Sequence, residues 1–429
     1  GQHELAPIFT TTNIATDHNQ ITMELMKSIA DKHGLACLLH EKPFAGVNGS
    51  GKHNNWSIAT DDGVNLLEPG ETPFENAQFL TFLAAIIKAV DLYQDLLRVS
   101  VASAGNDHRL GANEAPPAII SIFLGDELTR ILEALENGSD YHSQTRYPME
   151  IGVTVLPHFP KDTTDRNRTS PFAFTGNKFE FRMTGSAFSI AEPNIVLNTI
   201  VAETLSLFSD RLERAENFRD ELSRLIKETI HEHKRIIFNN NNYSDEWVIE
   251  AEQRGLLNLK TTVDALPALI SSKNIALFTK HHVFRESELR SRYEISIENY
   301  CKTIHIEALT MIDIVRKEII PASISYQKEL FDLMAQKKSC GAYDCSLEEA
   351  LAEQLVNLSV CLAKKLEGLE SALIESKQIS ESAALARYYR DVVFNLLSEI
   401  RLIVDELETI TAKKHWPLPT YADMLYSVH

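Results

Sequence analysis

The stretch Lys178-Phe-Glu-Phe-Arg-Met183 alternates charged and apolar residues without a break. A period of two is typical of a β-strand, because successive side chains point to opposite faces of a sheet. On such a strand Lys178, Glu180 and Arg182 share one face, and the apolar residues share the other. The pattern predicts a strand that lies between an apolar core and either a polar cavity or solvent. Taken alone, it favours a solvated outer face.

Helix and strand signals are mixed on both sides of this stretch, through residues 1–205. Further strands are predicted at residues 4–10, 35–40, 54–60 and 151–156. Helices are predicted at residues 21–33, at residues 72–98 with a capping box from Thr72 to Glu75, and from about residue 189. This mixture predicts a fold of the α+β class for the first part of the chain.

The character of the chain changes at about residue 206 to long, charged, periodic helices. Helical segments are predicted at residues 208–238, 286–320, 347–375 and 381–411. The last two carry apolar residues at spacings of three and four, which predicts a helical hairpin joined near residues 376–380. We therefore expect two parts, residues 1–205 and residues 206–429.

Net charge limits the kinds of binding partner, and cysteine content indicates the cellular compartment. The 42 Lys and Arg against 60 Asp and Glu give a net charge of −18. This argues against nucleic acid or an anionic membrane as a partner, because both require a dense basic patch. Five widely spread cysteines favour free thiols in a reducing cytoplasm over a disulfide framework. The most apolar stretch, residues 79–90, is too short to span a bilayer.

A Gly-rich loop, Lys42-Pro-Phe-Ala-Gly-Val-Asn-Gly-Ser-Gly51, follows a predicted strand and leads directly into Lys52-His53-Asn54-Asn55. It lacks the Gly-Lys-Ser/Thr ending of a Walker phosphate loop. A His directly after such a turn is a candidate metal ligand, although a lone His is more often a hydrogen-bonded structural residue.

Two further polar segments contain basic residues that suit an anion. The segment Ala104-Gly-Asn-Asp-His-Arg-Leu-Gly-Ala-Asn-Glu-Ala-Pro-Pro117 holds Arg109 and Glu114, which either point into a site or pair with each other on the surface. Arg166 and Arg168 form a basic spot in an acidic chain. That spot either attracts an anion or belongs to a salt-bridged loop.

Taken in chain order, these motifs resemble the catalytic domain of glutamine synthetases. They are Gln2-His3-Glu4, Asn48-Gly-Ser-Gly-Lys-His53, the segment from Arg109 to Pro116, Arg166-Asn-Arg168 and Lys178-Phe-Glu-Phe-Arg182. The Lys-His-Asn-Asn-Trp-Ser ending, the Gly-Asn-Asp-His-Arg-Leu-Gly-Ala loop and the long helical tail resemble type III members. Over residues 1–205 the resemblance implies a catalytic barrel of mainly antiparallel strands with flanking helices. The resemblance also implies that the helical extension of type III members follows this barrel.

The resemblance also implies a role for each matched residue. By role these are the metal ligands Glu4, His53 and Glu180; the glutamate contacts Asn48, Gly49 and Arg109; the nucleotide contacts Asn55, Ser57, Arg168 and Lys178; and Glu114 and Arg182 at the reaction centre. One imidazole among carboxylates suits Mg²⁺ or Mn²⁺. A planar guanidinium suits a substrate carboxylate. Glu114 matches a flap that closes over the reactive intermediate.

The activity implied is ATP-dependent ligation of ammonia to L-glutamate, which gives L-glutamine through γ-glutamyl phosphate. Glutamate, ammonium and ATP are then the substrates, and the family assembles as a homo-oligomer, typically a dodecamer. Two other interpretations stay open. One is a γ-glutamyl-amine ligase of the same superfamily, which accepts a larger amine. The other is a non-catalytic assembly or regulatory homologue.

Some features depart from the family pattern. The interval from Arg109 to Glu114 is one residue shorter than in the common bacterial type, and Asn55 stands where a His is often found. The family also has further metal carboxylates and an N-terminal β-grasp domain before the segment that Glu4 matches. We therefore expect this chain to be a fragment that is inactive by itself.

Overall fold

The computed structural model describes residues 5–44, 46–112, 115–139, 169–420 and 423. These residues fall into two compact units, Ile8–Tyr293 and Glu294–His429, with residues 5–7 grouped with the second. The expected division at residue 205 is a boundary between two domains of a protein family, and the boundary between compact units does not test it. It therefore stays a prediction. The strand predicted at residues 151–156 lies outside the described residues.

The first unit contains a small mixed sheet. Its strands are β1 (Gly51–Trp56), β2 (Ile122–Phe123), β3 (Phe172–Phe174) and β4 (Phe179–Gly185). They lie in the order β1-β4-β3-β2, with β4 antiparallel to both of its neighbours and β2 parallel to β3. Over the described ranges the sheet is open, so the closed barrel stays a prediction. The expected combination of helices and sheet is confirmed in its coarser form, a helix-rich chain with a small mixed sheet.

Strand β4 buries the apolar face that its sequence predicts. Phe179, Phe181 and Met183 are fully buried, and the Phe179 ring stacks on Phe172 with centroids 4.6 Å apart. The opposite face carries Arg182, which is only 6% exposed. The solvated face that the pattern favours is therefore wrong for Arg182, because this part of the strand is covered by other elements.

Helices make up most of the chain. In the first unit they are α1 (Thr12–Lys32), α2 (Ala77–Leu92), α3 (Gln94–Val99), α4 (Ala104–Arg109), α5 (Asp126–Asn137), α6 (Ala191–Glu213), α7 (Phe218–His233), α8 (Asp245–Gln253), α9 (Thr262–Ala265) and α10 (Ser272–Lys280). They are followed by α11 (Glu286–Ile314), α12 (Ile320–Cys340), α13 (Ser346–Ser376), α14 (Ser382–Tyr388) and α15 (Phe394–Ile410).

Helix α2 lies at the centre of the first unit, where it packs against α6 and α7. Its apolar residues Leu83, Ile86 and Ile87 are fully buried. The helix begins later than predicted, because the side chain of Asn76 accepts the hydrogen bond from the Phe79 amide and so caps it. The predicted Thr72 cap is therefore wrong.

Several predicted boundaries also differ from the structure. Residues 5–10 and 35–40 are not strands, because an apolar run becomes a strand only where a neighbouring strand can take up its backbone hydrogen bonds. Helix α1 starts nine residues before the predicted residue 21, since it buries no residue in this chain and its apolar spacing marks only part of it.

The second unit contains the predicted helical hairpin. Helix α13 packs against α12 and α15, and its buried residues Leu362, Leu366, Leu369 and Leu373 follow the spacing of three and four. Two π-helical turns, Val315–Ile319 and Tyr389–Val393, interrupt segments that were predicted as continuous α-helix. The hairpin prediction is confirmed, with the connection at residues 377–381.

Two further expectations can be compared with the described residues. All five cysteines are free, as their spacing predicts. None of the described helices combines the length and the apolarity needed to cross a bilayer.

Phe181→Ala should lower the free energy of unfolding by about 3–5 kcal/mol, because it removes a fully buried ring and leaves a cavity in the core. A urea titration followed by circular dichroism measures the change. The control is Phe188→Ala, whose ring is 48% exposed and whose loss should cost about 1 kcal/mol at most. Equal effects of the two substitutions would contradict the assignment of the β4 apolar face to the core.

Candidate active site

The pairing of β1 with β4 builds the centre of the site. Asn55 lies opposite Glu180 in the antiparallel register. The register shifts by one residue between Lys52 and Asn54, because β4 has two residues, Arg182 and Met183, opposite the single residue His53 of β1, so that β4 bulges here. A bulge turns the local side chain away from the regular alternation. The pairing of the two strands thereby brings His53 and Glu180 together, although they are more than 120 positions apart in the sequence.

His53, Glu180 and Arg182 form one connected group. His53 Nδ1 lies 2.9 Å from Glu180 Oε1. Arg182 donates two hydrogen bonds to Glu180 Oε2, at 2.6 Å from Nη2 and 2.9 Å from Nε. The His53 side chain is 55% exposed and that of Glu180 is 16% exposed. The group therefore faces outward at His53 and becomes progressively more buried towards Arg182.

The environment keeps the Glu180 carboxylate ionised. Partial burial by itself raises the pKa of Glu180, but the hydrogen bond from His53 and the charge and hydrogen bonds of Arg182 outweigh it. Together they lower the pKa of Glu180 from 4.5 to about 2. At neutral pH the side chain is thus an anion held between two nitrogen-containing groups.

Arg109 lies deeper, at the end of the short helix α4. The Ser103 side chain caps this helix by accepting a hydrogen bond from the Asn106 amide at 3.1 Å, although the sequence predicted a loop here. The Arg109 guanidinium donates to Asn106 Oδ1 and to the carbonyl oxygens of Met183 and Arg182, at 2.9–3.2 Å. Arg109 is only 2% exposed, so in this conformation its guanidinium is fixed against the end of β4.

The Gly-rich loop covers Arg109. A Cβ atom added at Gly49 would lie 2.9 Å from Arg109 Cγ, and one added at Gly51 would lie 2.5 Å from Arg109 Cζ. Both distances are shorter than van der Waals contact. Glycine is therefore required at these two positions because the backbone passes directly over a buried side chain.

The other predicted nucleotide and glutamate contacts lie around this centre. Asn48, Asn55 and Ser57 are exposed. Ser57 donates to Asn65 Oδ1 at 2.7 Å, and Lys178 directly precedes β4 and is partly buried. Of these positions, Asn55 lies opposite Glu180 in the sheet, and the roles of all four stay predictions. Glu4, Glu114 and Arg168 lie outside the described residues.

Two buried polar residues that the sequence did not single out lie close to Arg109. Asn106 is fully buried, and its amide nitrogen donates to the carbonyl oxygens of Val101 and Met183 at 2.7 and 2.9 Å. Glu41 is 2% exposed and accepts a hydrogen bond from the Ala187 amide at 2.9 Å. A carboxylate directly before a Gly-rich loop was the available signal for Glu41.

The donor atoms of the site suit a divalent cation in part. An imidazole nitrogen and an ionised carboxylate oxygen face each other at His53 and Glu180, which are donor types that Mg²⁺ and Mn²⁺ accept. Among the residues that the structure describes, no group of three or more His, Cys, Asp or Glu is placed to hold a metal. The pair therefore fits as part of a ligand set whose other members are water, substrate or other residues.

Comparisons with known proteins show which family the chain resembles. The family model described as "Glutamine synthetase, catalytic domain" matches residues 1–120, and the one described as "Glutamine synthetase C-terminal domain" matches residues 221–338. A glutamine synthetase of Butyrivibrio fibrisolvens is 49% identical over 100% of this chain and 61% of its own length. The chain belongs to the glutamine synthetase family.

Other members of the glutamine synthetase family match over nearly the whole chain. The type-3 glutamine synthetase of Dictyostelium discoideum is 46% identical over 99% of this chain and 59% of its own length. A glutamine synthetase of Bacteroides fragilis is 40% identical over 99% of this chain and 60% of its own length. The predicted resemblance is confirmed, and the chain spans about three fifths of the length of these curated relatives.

Acid should weaken the fold through Glu180. Because the pKa of Glu180 is lowered from 4.5 to about 2 in the folded protein, its stabilising contribution is complete above about pH 4.5 and is lost as the pH falls to about 2. Glu180→Gln should therefore show a smaller loss of stability across this interval than the unsubstituted protein. Urea midpoints measured at steps of pH test this.

The matched control for Glu180→Gln is Glu71→Gln, which changes an exposed carboxylate of the same unit. It should leave the pH dependence of the urea midpoint unchanged. If Glu180→Gln behaves like this control, the ionised carboxylate does not stabilise the pairing of β1 with β4.

Gly51→Ala should destabilise the protein by about 1–3 kcal/mol, because the new methyl group must displace the buried Arg109 guanidinium from its carbonyl acceptors. The matched control is Gly368→Ala in α13, where the nearest atom lies 3.9 Å from the added Cβ. There the same change should stabilise the helix by about 0.5–1 kcal/mol. Urea titration measures both, and a stabilising effect at Gly51 would show that the loop does not lie on Arg109.

Proposed function

We propose that this chain carries catalytic residues of an enzyme that joins ammonia to the side-chain carboxylate of L-glutamate with consumption of ATP. The observation that carries the proposal is the convergence of His53, Glu180 and Arg182 at one sheet edge, in a chain that matches glutamine synthetases along its length. The product is L-glutamine, and the intermediate is γ-glutamyl phosphate.

Charge explains why this group suits phosphoryl transfer. Arg182 lies beside an ionised carboxylate and is 6% exposed, so its guanidinium keeps a fixed orientation and can stabilise negative charge on a transferring phosphoryl group. His53 and Glu180, with Glu4, are the residues that would hold a divalent cation. That cation, Mg²⁺ or Mn²⁺, would neutralise the charge of the ATP phosphates.

The remaining roles extend outward from this centre. Arg109, with Asn48 and Gly49 above it, is proposed to bind the glutamate head group. Asn55, Ser57, Lys178 and Arg168 are proposed to contact ATP. Glu114 is proposed to close over the acyl phosphate, which must be kept from water because it would otherwise hydrolyse.

Fold and assembly belong to the same proposal. The open sheet is proposed to be part of the family's barrel, in a catalytic domain over residues 1–205 followed by a helical extension over residues 206–429. Exposed apolar side chains on the helices of the second unit, Ile306, Leu347 and Leu402 at 62–75% exposure, support burial against further protein in a homo-oligomer. The free thiols support a cytoplasmic location.

The test measures glutamine and phosphate formation that depends on ATP, glutamate and ammonium. It uses the chain alone and a fusion that adds the part of the Butyrivibrio fibrisolvens relative outside the match. We expect activity in the fusion. His53→Ala should reduce it by about 100-fold, because the residue is a proposed metal ligand. It should also weaken Mn²⁺ binding measured by titration calorimetry.

The matched control is His231→Ala, which removes a His–Glu pair of similar geometry outside the site, with His231 Nδ1 2.7 Å from Glu136 Oε1. Its activity should stay within about twofold of the unsubstituted fusion. A folded fusion that glutamylates polyamines but not ammonium would favour the γ-glutamyl-amine ligase. Failure to bind ATP with Mn²⁺ would favour the non-catalytic homologue.

A further inference from the structure

The Glu41 carboxylate is held rigidly inside the first unit. Glu41 is 2% exposed, and its Oε1 accepts a hydrogen bond from the Ala187 amide at 2.9 Å. Its own carbonyl oxygen accepts from the Ser50 amide at 2.7 Å. One residue therefore contacts both the Gly-rich loop and the segment that follows β4.

Two glycines make room for this carboxylate. A Cβ atom added at Gly105 in α4 would overlap Glu41 Oε2, and one added at Gly185 at the end of β4 would lie 2.6 Å from Glu41 Cγ. The side chain thus fills the space between α4, which carries Arg109, and β4, whose carbonyl groups bind Arg109. The Glu41 side chain therefore has little room to move between these two elements.

Arg109 needs a negative charge close by. The three acceptors of its guanidinium, on Asn106, Met183 and Arg182, are all neutral, and its buried Nε has no hydrogen-bond partner. Burial lowers the pKa of Arg109 to about 10, and the charge of Glu41, followed by that of Tyr243, opposes this shift. The two residues also lie together in space, since a Cβ atom added at Gly49 would lie 2.9 Å from Arg109 Cγ and 3.0 Å from the Glu41 carbonyl oxygen. Glu41 is thus the carboxylate whose charge acts most strongly on this buried cation, and a buried cation is costly to leave uncompensated.

We propose that Glu41 is a positioning residue for Arg109, because its fixed carboxylate supplies the charge that holds the guanidinium beneath the Gly-rich loop. The inference rests on the proposed function, in which Arg109 binds the carboxylate of the glutamate head group. Glu41 does not touch the substrate. It sets the place and orientation of the group that does.

Charge and shape make opposite predictions for two substitutions. Glu41→Gln keeps the size and an acceptor for the Ala187 amide but removes the charge. Glu41→Asp keeps the charge but withdraws the carboxylate from that amide. If Glu41 acts through its charge on Arg109, Asp is the better replacement. If Glu41 is only a hydrogen-bonded brace, Gln is the better replacement.

The first experiment is a double-mutant cycle on the full chain, read by urea titration. Glu41→Gln should raise the equilibrium constant for unfolding by about tenfold or more, and Glu41→Asp should raise it less. In an Arg109→Gln background, Glu41→Gln should have little further effect, because the cation it compensates is gone. Equal losses in both backgrounds, or a larger loss for Asp than for Gln, would overturn the inference.

A second variant covers the case in which Glu41→Gln does not fold. Gly105→Ala displaces Glu41 Oε2 and leaves its charge intact. Alanine favours a helix more than glycine does, so a loss of stability must come from the displaced carboxylate. That loss should be smaller in the Arg109→Gln background, and a loss of equal size would again count against the inference.

The second experiment measures kinetics in whichever form makes glutamine, the chain or the fusion. Glu41→Gln should raise KM for glutamate about tenfold, because a misplaced guanidinium binds the substrate carboxylate less well, while KM for ATP stays within about twofold. An active protein with unchanged KM for glutamate would overturn the inference alone. Absence of glutamine formation in the unsubstituted forms would overturn the proposed function. The double-mutant cycle on stability would then still test whether the charge of Glu41 acts on Arg109.

Discussion

The site depends on one ionised carboxylate shared between two strands. One carboxylate oxygen of Glu180 on β4 contacts the His53 ring of β1, and the other accepts a hydrogen bond from Arg182 of the same strand. Both contacts favour the charged form over the cost of partial burial, which is why the pKa of the carboxylate is lowered to about 2. The strand pairing therefore also places an anion at the site that is proposed to hold a divalent cation.

Behind this carboxylate lies a layer of buried polar groups that fixes α4. On one side Arg109 bonds to the carbonyl groups at the end of β4. On the other, Asp107 accepts hydrogen bonds from Thr262, and the fully buried Arg98 donates to the carbonyl oxygen of Leu259 at 2.8 Å. A six-residue helix has too few internal hydrogen bonds to be stable alone. Its position is thus determined by side chains from segments distant in sequence.

Glycine makes this crowding possible. Gly49 and Gly51 let the loop pass over Arg109, and Gly105 and Gly185 leave the space that Glu41 fills. None of these four has a positive φ, so their requirement comes from close approach and not from backbone conformation. The Gly-rich loop of this chain thus covers a buried cation, whereas the Gly-rich loop of a Walker motif binds phosphate through its backbone N–H groups.

The sequence by itself determined the β4 strand, the helical hairpin and the family, because each rests on a local period or on ordered motifs. Alternation in residues 178–183 needs no partner to be recognised, and neither does the Leu spacing of α13. The bulge of β4 opposite His53, the burial of Arg109 and the place of Glu41 were decided only by tertiary structure. Each depends on contacts between residues more than 50 positions apart, since charge and close approach act through space and leave no periodic signal along the chain.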